Sequence, residues 1–367
     1  MQTTRTFDYP DDGPVQIGAV ARTEIESYLS THGEDRYPES LIGRLRVLGV
    51  FGATIPRQYG GLEWAPGDVA RLVYELARGW QPLAGLVGTH LRLCREVFRH
   101  GTAEQRSTWL PAMAAGDLIF ARAYHESGVD DPDRLRSRSD CRGPLGTLNG
   151  HKDWVTNARH ADRIVAIARE GGATLAVVVD PRRRGVAVGD ELPRPGMRGV
   201  SLAGVTFSNY EFDPDRDVLG GRLHDVAGSV RAHDMTGYVS RALGSADAVV
   251  DCALRCVRDG IERRSAQAQG AIRLRVGELC VQVSAMRAVW LEAIGPAPSL
   301  SSDEAKVFCT STLKEVIGTA AMLCGGAGYA GSDGTLGRHY RDALALQIVG
   351  APNDALLGHI GERALTG

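Results

Sequence analysis

The sequence predicts a mainly α-helical protein with a β domain set into its middle, and three observations carry that expectation. Apolar residues recur at helical spacing from about residue 15 to residue 120. Short β-branched runs between Gly, Asn and Asp turns fill residues 120–220. From Arg222 the helical period returns and forms four long segments, the pattern of an up-and-down bundle. The expected domains are an N-terminal helical domain (1–119), a mostly antiparallel middle β domain (120–221) and a C-terminal four-helix bundle (222–367).

Each element has a local reason. Ser40–Gly49 places apolar residues on one helical face and stops on a glycine. Phe51–Gly61 is rich in breakers and reads as a loop. Asp68–Ala77 and Gly85–His100 resume the helical period. Thr102 and Gln105 have the spacing of a capping box. Strands are expected at Ile119–Tyr124, around Val155, and at Ile164–Ala168, Leu175–Val179, Val186–Val188, Gly204–Phe207 and Asn209–Phe212. The bundle helices are expected at Val226–Asp259, Ile272–Ile294, Asp303–Cys324 and Leu344–Leu365, with the glycine run Gly325–Tyr329 as a loop before the last.

Composition narrows the function. A chain of 367 residues suits two or three domains. Its 43% hydrophobic and 23% charged residues match a globular protein. A net charge of −2 leaves no basic excess for nucleic acid. No 18-residue apolar run stands out, so no membrane span is expected. Met1–Gln16 lacks the apolar core of a signal peptide, so the expected location is the cytosol. The seven cysteines are scattered. Cys252 and Cys256 share a helical face, but no second pair or histidine cluster accompanies them. Buried free thiols are expected, and no metal.

Four groups of segments, taken together and in order, resemble the acyl-CoA dehydrogenase family over essentially the whole chain. They are Ile55–Gly61, Gly101–Gln105 with Trp109–Pro111, Asn149–Asn157, and Gly325–Tyr329 with Arg341–Ala343. The resemblance implies the same three-domain fold, with FAD between the β domain and the helical domains, in a homodimer or homotetramer. It implies that Trp154 and Thr156 lie against the isoalloxazine ring and near its N5. An indole can cover a ring face, and a hydroxyl near N5 tunes the flavin. It places Tyr124 and His125 in the strand-end segment that contacts the flavin, with His125 in the place of a threonine and Glu126 retained. Arg263 matches an arginine that reaches the FAD pyrophosphate of a neighbouring subunit, although the aromatic and glycine that follow in the family are missing. Gly325 and Gly326 match glycines that approach the partner subunit's FAD, while Met322 replaces a glutamine. Asp130 and Asp131 stand where the family has a Gly-Ser pair that touches phosphate, and like charges repel.

The resemblance also shows what is missing. Oxidising an acyl thioester between Cα and Cβ needs a general base over Cα. The family's usual glutamate aligns with Gly350, and its alternative position, on the first bundle helix, aligns with Thr236. His90, on the helix that lines the acyl pocket in the family, is the first candidate replacement, because a histidine ordinarily titrates near neutrality. Asp354, one turn beyond Gly350, is the second. The Gly350 backbone N–H remains as a donor to a thioester carbonyl. The short acyl-carrier-protein dehydrogenases of hydroxymalonyl and methoxymalonyl extender-unit pathways are similar in brevity, altered phosphate loop and lost glutamate. The expected function is an FAD-dependent oxidoreductase of a short acyl thioester, carried on acyl carrier protein in polyketide extender-unit or related metabolism. A flavin monooxygenase on the same fold and a degenerate, non-catalytic homologue are the alternatives.

Overall fold

The computed structural model describes residues 13–129, 131–231, 235–258, 261–330 and 334–366. Its first helical layer is α1 (Gly13–His32), α2 (Glu39–Val47), α3 (Pro66–Gly79), α4 (Gln81–His100) and α5 (Ala103–Ala115). Two single 3-10 turns, Val50–Gly52 and Arg57–Tyr59, occupy the segment expected as a loop. The capping box forms in full. Thr102 Oγ1 accepts from the Gln105 N–H at 3.2 Å, and Gln105 Oε1 accepts from the Thr102 N–H at 3.0 Å. Gln105 Nε2 also donates to the carbonyls of Arg216 and Val218. One side chain thus starts a helix and ties it to the β domain.

Seven strands form one sheet: β1 (Phe120–Ala123), β2 (Arg138–Asp140), β3 (Gly146–Thr156), β4 (Arg163–Glu170), β5 (Ala173–Val179), β6 (Val186–Val188) and β7 (Leu202–Phe212). Their order is β1-β4-β2-β3-β7-β6, with β5 also on β4. Pairing is antiparallel except where β4 meets β1 and β2. Alternation along β1 sends Ala121 and Ala123 into the β core and Phe120 into a core shared with Leu93 and Met113. The same period of two puts Arg122 and Tyr124 on the side facing the helices.

The last part is α6 (Ala227–Arg231), α7 (Thr236–Arg258), α8 (Ala266–Ala293), α9 (Ser302–Ala330), α10 (Thr335–Leu346) and α11 (Asn353–Thr366). Three expectations need correction. The segment expected as one helix over Val226–Asp259 is two, α6 and α7, with Met235 in neither and residues 232–234 and 259 outside the described residues. The segment expected as one helix over Leu344–Leu365 is two. Leu336, Ala343 and Leu346 of α10 complete the bundle core with α7, α8 and α9. Gly350, at φ 81°, and Pro352 then break the chain before α11. The run Gly325–Tyr329 is not a loop either: α9 kinks at Gly325 (φ 56°, ψ −138°) and continues to Ala330. Ser302–Gly326 is long and apolar enough to cross a membrane by composition alone. In this fold its Ala305, Cys309, Leu313, Val316 and Ala320 are bundle core.

The three parts meet at α10. Asp342 is buried, and its Oδ1 accepts from the Met197 N–H in the loop before β7. Arg341 donates to Glu34, beyond α1. Gly196 lies so close to α10 that a Cβ there would sit 2.4 Å from the Arg341 carbonyl oxygen. Burial raises the Asp342 carboxyl to about 6. Because the folded value lies above the unfolded one, its contribution to stability is complete at low pH and falls as pH rises from about 4 to about 6. Asp342→Asn keeps an acceptor oxygen and removes the charge. It is expected to stabilise the protein at pH 8 by on the order of 1–3 kcal/mol and to have little effect at pH 4. Urea denaturation at the two pH values checks this, and a destabilised variant at pH 8 would refute it.

Candidate functional site

Trp154 and Thr156 lie two residues apart on one face of β3. The register against β7 slips there. Lys152 pairs with Val205 but Val155 with Ala203, so β3 holds one extra residue at a bulge. Trp154 is 52% exposed, a large open apolar face for a strand residue. Asn157 follows in the left-handed region (φ 65°), its N–H on the Ser201 carbonyl at 2.6 Å, and turns the chain immediately after Thr156.

The segment leaving β1 is fastened to β3 by a buried ion pair. Glu126 accepts from the N–H groups of Arg136 and Ser137 at 2.6 and 3.0 Å and from Lys152 Nζ at 2.8 Å. Lys152, also buried, donates to the Tyr124 carbonyl at 3.1 Å. The Asp153 N–H bonds to the His125 carbonyl at 3.0 Å, which sets His125 beside the strand that carries Trp154. The His125 side chain is exposed and Tyr124 is half-buried. Burial works against the Glu126 carboxylate, but the hydrogen bonds from Lys152 and Ser137 overcome it and hold the group at about 2. Glu126 is therefore a positioning residue.

The position expected to hold a base is closed. A Cβ on Gly350 would lie 2.7 Å from ring carbons of Tyr238 and 2.8 Å from its hydroxyl. Tyr238, in the first turn of α7, fills the space a carboxylate at 350 would need. Three cations stand near it. The Arg241 guanidinium is 5.6 Å and Lys306 Nζ 5.9 Å from the ring centroid. Arg241 is buried, with Nε on Gln81 Oε1 at 3.0 Å, and Gln81 Nε2 donates to Ser245. Lys306 is buried in α9, donates to the Ala351 carbonyl beside Gly350, and is lowered to about 8 by burial. Arg122 donates through Nη1 to Glu96 at 3.1 Å and lies within electrostatic range of Tyr238. The sequence reading missed all four residues. Arg122 alone carried a signal, a cation inside the apolar strand Phe120–Ala123. Tyr238, Arg241 and Lys306 are unremarkable on their helices until α7, α9 and the Gly350 linker come together.

Both candidate replacement bases are corrected. His90 is buried between α5 and β1. Its Nδ1 accepts from the Phe120 N–H at 3.2 Å, and its Nε2 faces the Met113 carbonyl at 3.2 Å and Cys94 Sγ at 3.3 Å. Burial pushes it down to about 4. A neutral ring with both nitrogens engaged cannot take a substrate proton. Asp354 is exposed at the start of α11. Arg263 lies exposed on a single 3-10 turn, Ile261–Arg263. Gly325 and Gly326 are exposed, and a Cβ on either would meet nothing within 4 Å. Their backbone is open to a group from outside this chain. Asp130 lies outside the described residues, and Asp131 caps the 3-10 turn that follows it through the Asp133 N–H at 3.0 Å. The cysteines also depart from expectation. Cys256 and Cys280 are exposed, and Cys324 of α9 joins Cys252 and Cys256, the three sulfurs within 4.8 Å of one another.

Glu126→Gln would leave the Lys152 ammonium buried without its counter-charge. We expect a loss of about 3 kcal/mol and weaker flavin retention. Chemical denaturation and flavin content after gel filtration measure both. An unchanged midpoint would mean that the pair is not charged in the folded protein.

Residues 16–117, 131–210 and 232–365 match, in that order, the family models described as acyl-CoA dehydrogenase N-terminal, middle and C-terminal domain. Among solved structures, butyryl-CoA dehydrogenase from Megasphaera elsdenii superposes with a TM-score of 0.87 at 21% identity, over 98% of this chain and 100% of that one. The prolyl acyl carrier protein oxidase AnaB gives 0.85 at 19% identity, over 97% and 100%. TdsC from Paenibacillus sp. A11-2, solved with FMN and indole, gives 0.81 at 19% identity, over 97% and 98%. The open Trp154 face, Thr156 beside it and the uncovered glycine backbone on α9 suit a flat, hydrogen-bonding cofactor. From these matches and this site, the chain belongs to the acyl-CoA dehydrogenase family of flavin-dependent oxidoreductases, and its cofactor is FAD.

Proposed function

We propose that this flavoprotein oxidises a short, oxygen-bearing acyl thioester carried on an acyl carrier protein, in extender-unit or related secondary metabolism. The observation that carries the reading is the closure of Gly350 by Tyr238. No carboxylate can stand there, which suits a reaction that removes an O–H proton, from an alcohol or an aldehyde hydrate, and not a Cα proton. Bound FAD supplies the hydride acceptor. The chain supplies the Trp154 face, the Thr156 hydroxyl and a strand end held rigid by Glu126 and Lys152.

The surroundings of Tyr238 support a short substrate. Arg122, Arg241, Lys306, Gln81 and Ser245 are polar and largely buried. A long alkyl chain among them would strip water from charged groups and gain little apolar contact in return. Asp131 offers nothing to the phosphates of coenzyme A, which favours a protein-borne phosphopantetheine, and AnaB acts in the same manner by its name. Leu274 and Val281 of α8 are exposed, as is Met322 near Gly325. They support a homodimer or homotetramer in which another copy covers them. Seven free thiols agree with a cytosolic setting.

The test is anaerobic mixing of the FAD-loaded protein with three-carbon hydroxyacyl and aldehyde thioesters on acyl carrier protein or coenzyme A. We expect bleaching of the flavin, faster by about tenfold or more with the carrier-protein thioester, and none with butyryl-CoA. Oxygen consumption that starts only with an added flavin reductase, without bleaching by any thioester, would establish the monooxygenase reading instead. A protein that holds no FAD would be the non-catalytic homologue.

A further inference from the structure

The packing of α7 against α9 brings three sulfur atoms to one place. Cys252 and Cys256 stand one turn apart on the same face of α7. Cys324 lies on α9, directly before the kink at Gly325. The three Sγ atoms are all within 4.8 Å of one another, and none of these cysteines is in a disulfide. Cys252 and Cys324 belong to the bundle core, and Cys256 is exposed.

The backbone beyond the kink holds Cys324 in this position. A Cβ on Gly328 would lie 2.6 Å from Cys324 Cβ and 2.9 Å from Leu336 Cδ2, so the end of α9 folds over the thiol only because residue 328 has no side chain. Thiols buried singly as small apolar groups are the ordinary use of cysteine. That use does not account for three sulfurs that face one another from two helices, with one of the three at the surface.

The spacing fits a metal ion. With every sulfur pair within 4.8 Å, some point lies no more than about 2.8 Å from all three, and a zinc–thiolate bond is about 2.3 Å long. A shift of roughly 0.5 Å at each sulfur completes the bonds. Thiolates are soft ligands, which select zinc(II) or copper(I) over magnesium and calcium. The exposed Cys256 gives such an ion a path from solvent.

We propose that Cys252, Cys256 and Cys324 form a binding site for a soft, thiophilic metal ion, zinc(II) or copper(I), which ties α7 to α9 at the kink. As each metal–sulfur bond forms, the thiol proton passes to solvent. The bound ion cross-links two bundle helices beside Gly325 and Gly326, whose backbone is uncovered. The site does not depend on the reaction proposed above.

The experiment uses the FAD-loaded protein, reduced, desalted without oxygen and given zinc(II) or copper(I) in separate samples. Metal retained after a second desalting is read by elemental analysis, and alkylation of each cysteine by peptide mass mapping. We expect one equivalent per chain of zinc(II), of copper(I) or of each in its own sample, and the two samples identify the ion. Alkylation of Cys256 should slow by at least about tenfold with the ion bound, while that of the exposed Cys280 stays the same. Cys256→Ser should weaken retention by at least about tenfold, the loss that even an outer-sphere change brings, and Cys280→Ser should leave it unchanged. If Cys256→Ser does not fold, the alkylation pattern of the wild type decides by itself. Retention of neither ion, equal retention by Cys256→Ser, or equal alkylation of Cys256 with and without the ion overturns the proposal. So does a disulfide among the three cysteines in protein prepared without oxygen.

Discussion

The β domain and the bundle meet at one buried hydrogen bond, from the Met197 N–H to Asp342 on α10. It anchors the loop before β7 to the bundle, and Arg341, the preceding residue, reaches Glu34 of the N-terminal part. The groups gathered near Tyr238 come from different domains: Arg122 from β1, Gln81 from α4, Tyr238 and Arg241 from α7. The Arg-Asp pair that helped to place the chain in its family therefore acts here as a clasp. Its carboxylate also lies near Arg241, which links the clasp to the polar groups around Tyr238.

The second constraint is steric. Gly350 has a positive φ and a phenol ring against its Cα, so the position cannot carry a side chain without moving Tyr238. The packing thus excludes the carboxylate that the resemblance implies at this position, and one substitution would not restore it. Tyr238 occupies that volume, and Arg241 and Lys306 stand beside its ring.

Several motif residues turn out to hold other residues in place. Glu126 stands in the segment that the resemblance gives to the flavin, yet its pair with Lys152 is buried and their hydrogen bonds run to Tyr124, Arg136 and Ser137. Its effect is to set the His125 segment against β3, where Trp154 and Thr156 sit. His90 illustrates the opposite error. A histidine on the pocket helix suggested a base, but the helix turns its ring into the core, against Phe51 and the Phe120 N–H.

The sequence by itself determined the family, the order of helical, β and helical parts, the capping box at Thr102 and the pairing of Trp154 with Thr156. These are local patterns of periodicity, turn chemistry and short spacing, which a linear string records directly. It misjudged helix ends near Gly325 and Gly350, because a glycine can continue, kink or stop a helix and only its neighbours decide which. Tertiary structure alone decided what stands over the missing base. Tyr238 and Gly350 are separated by more than a hundred residues, and nothing in either neighbourhood encodes their contact. The placing of Arg241 and Lys306 beside Tyr238 likewise arises from the packing of α7 against α9.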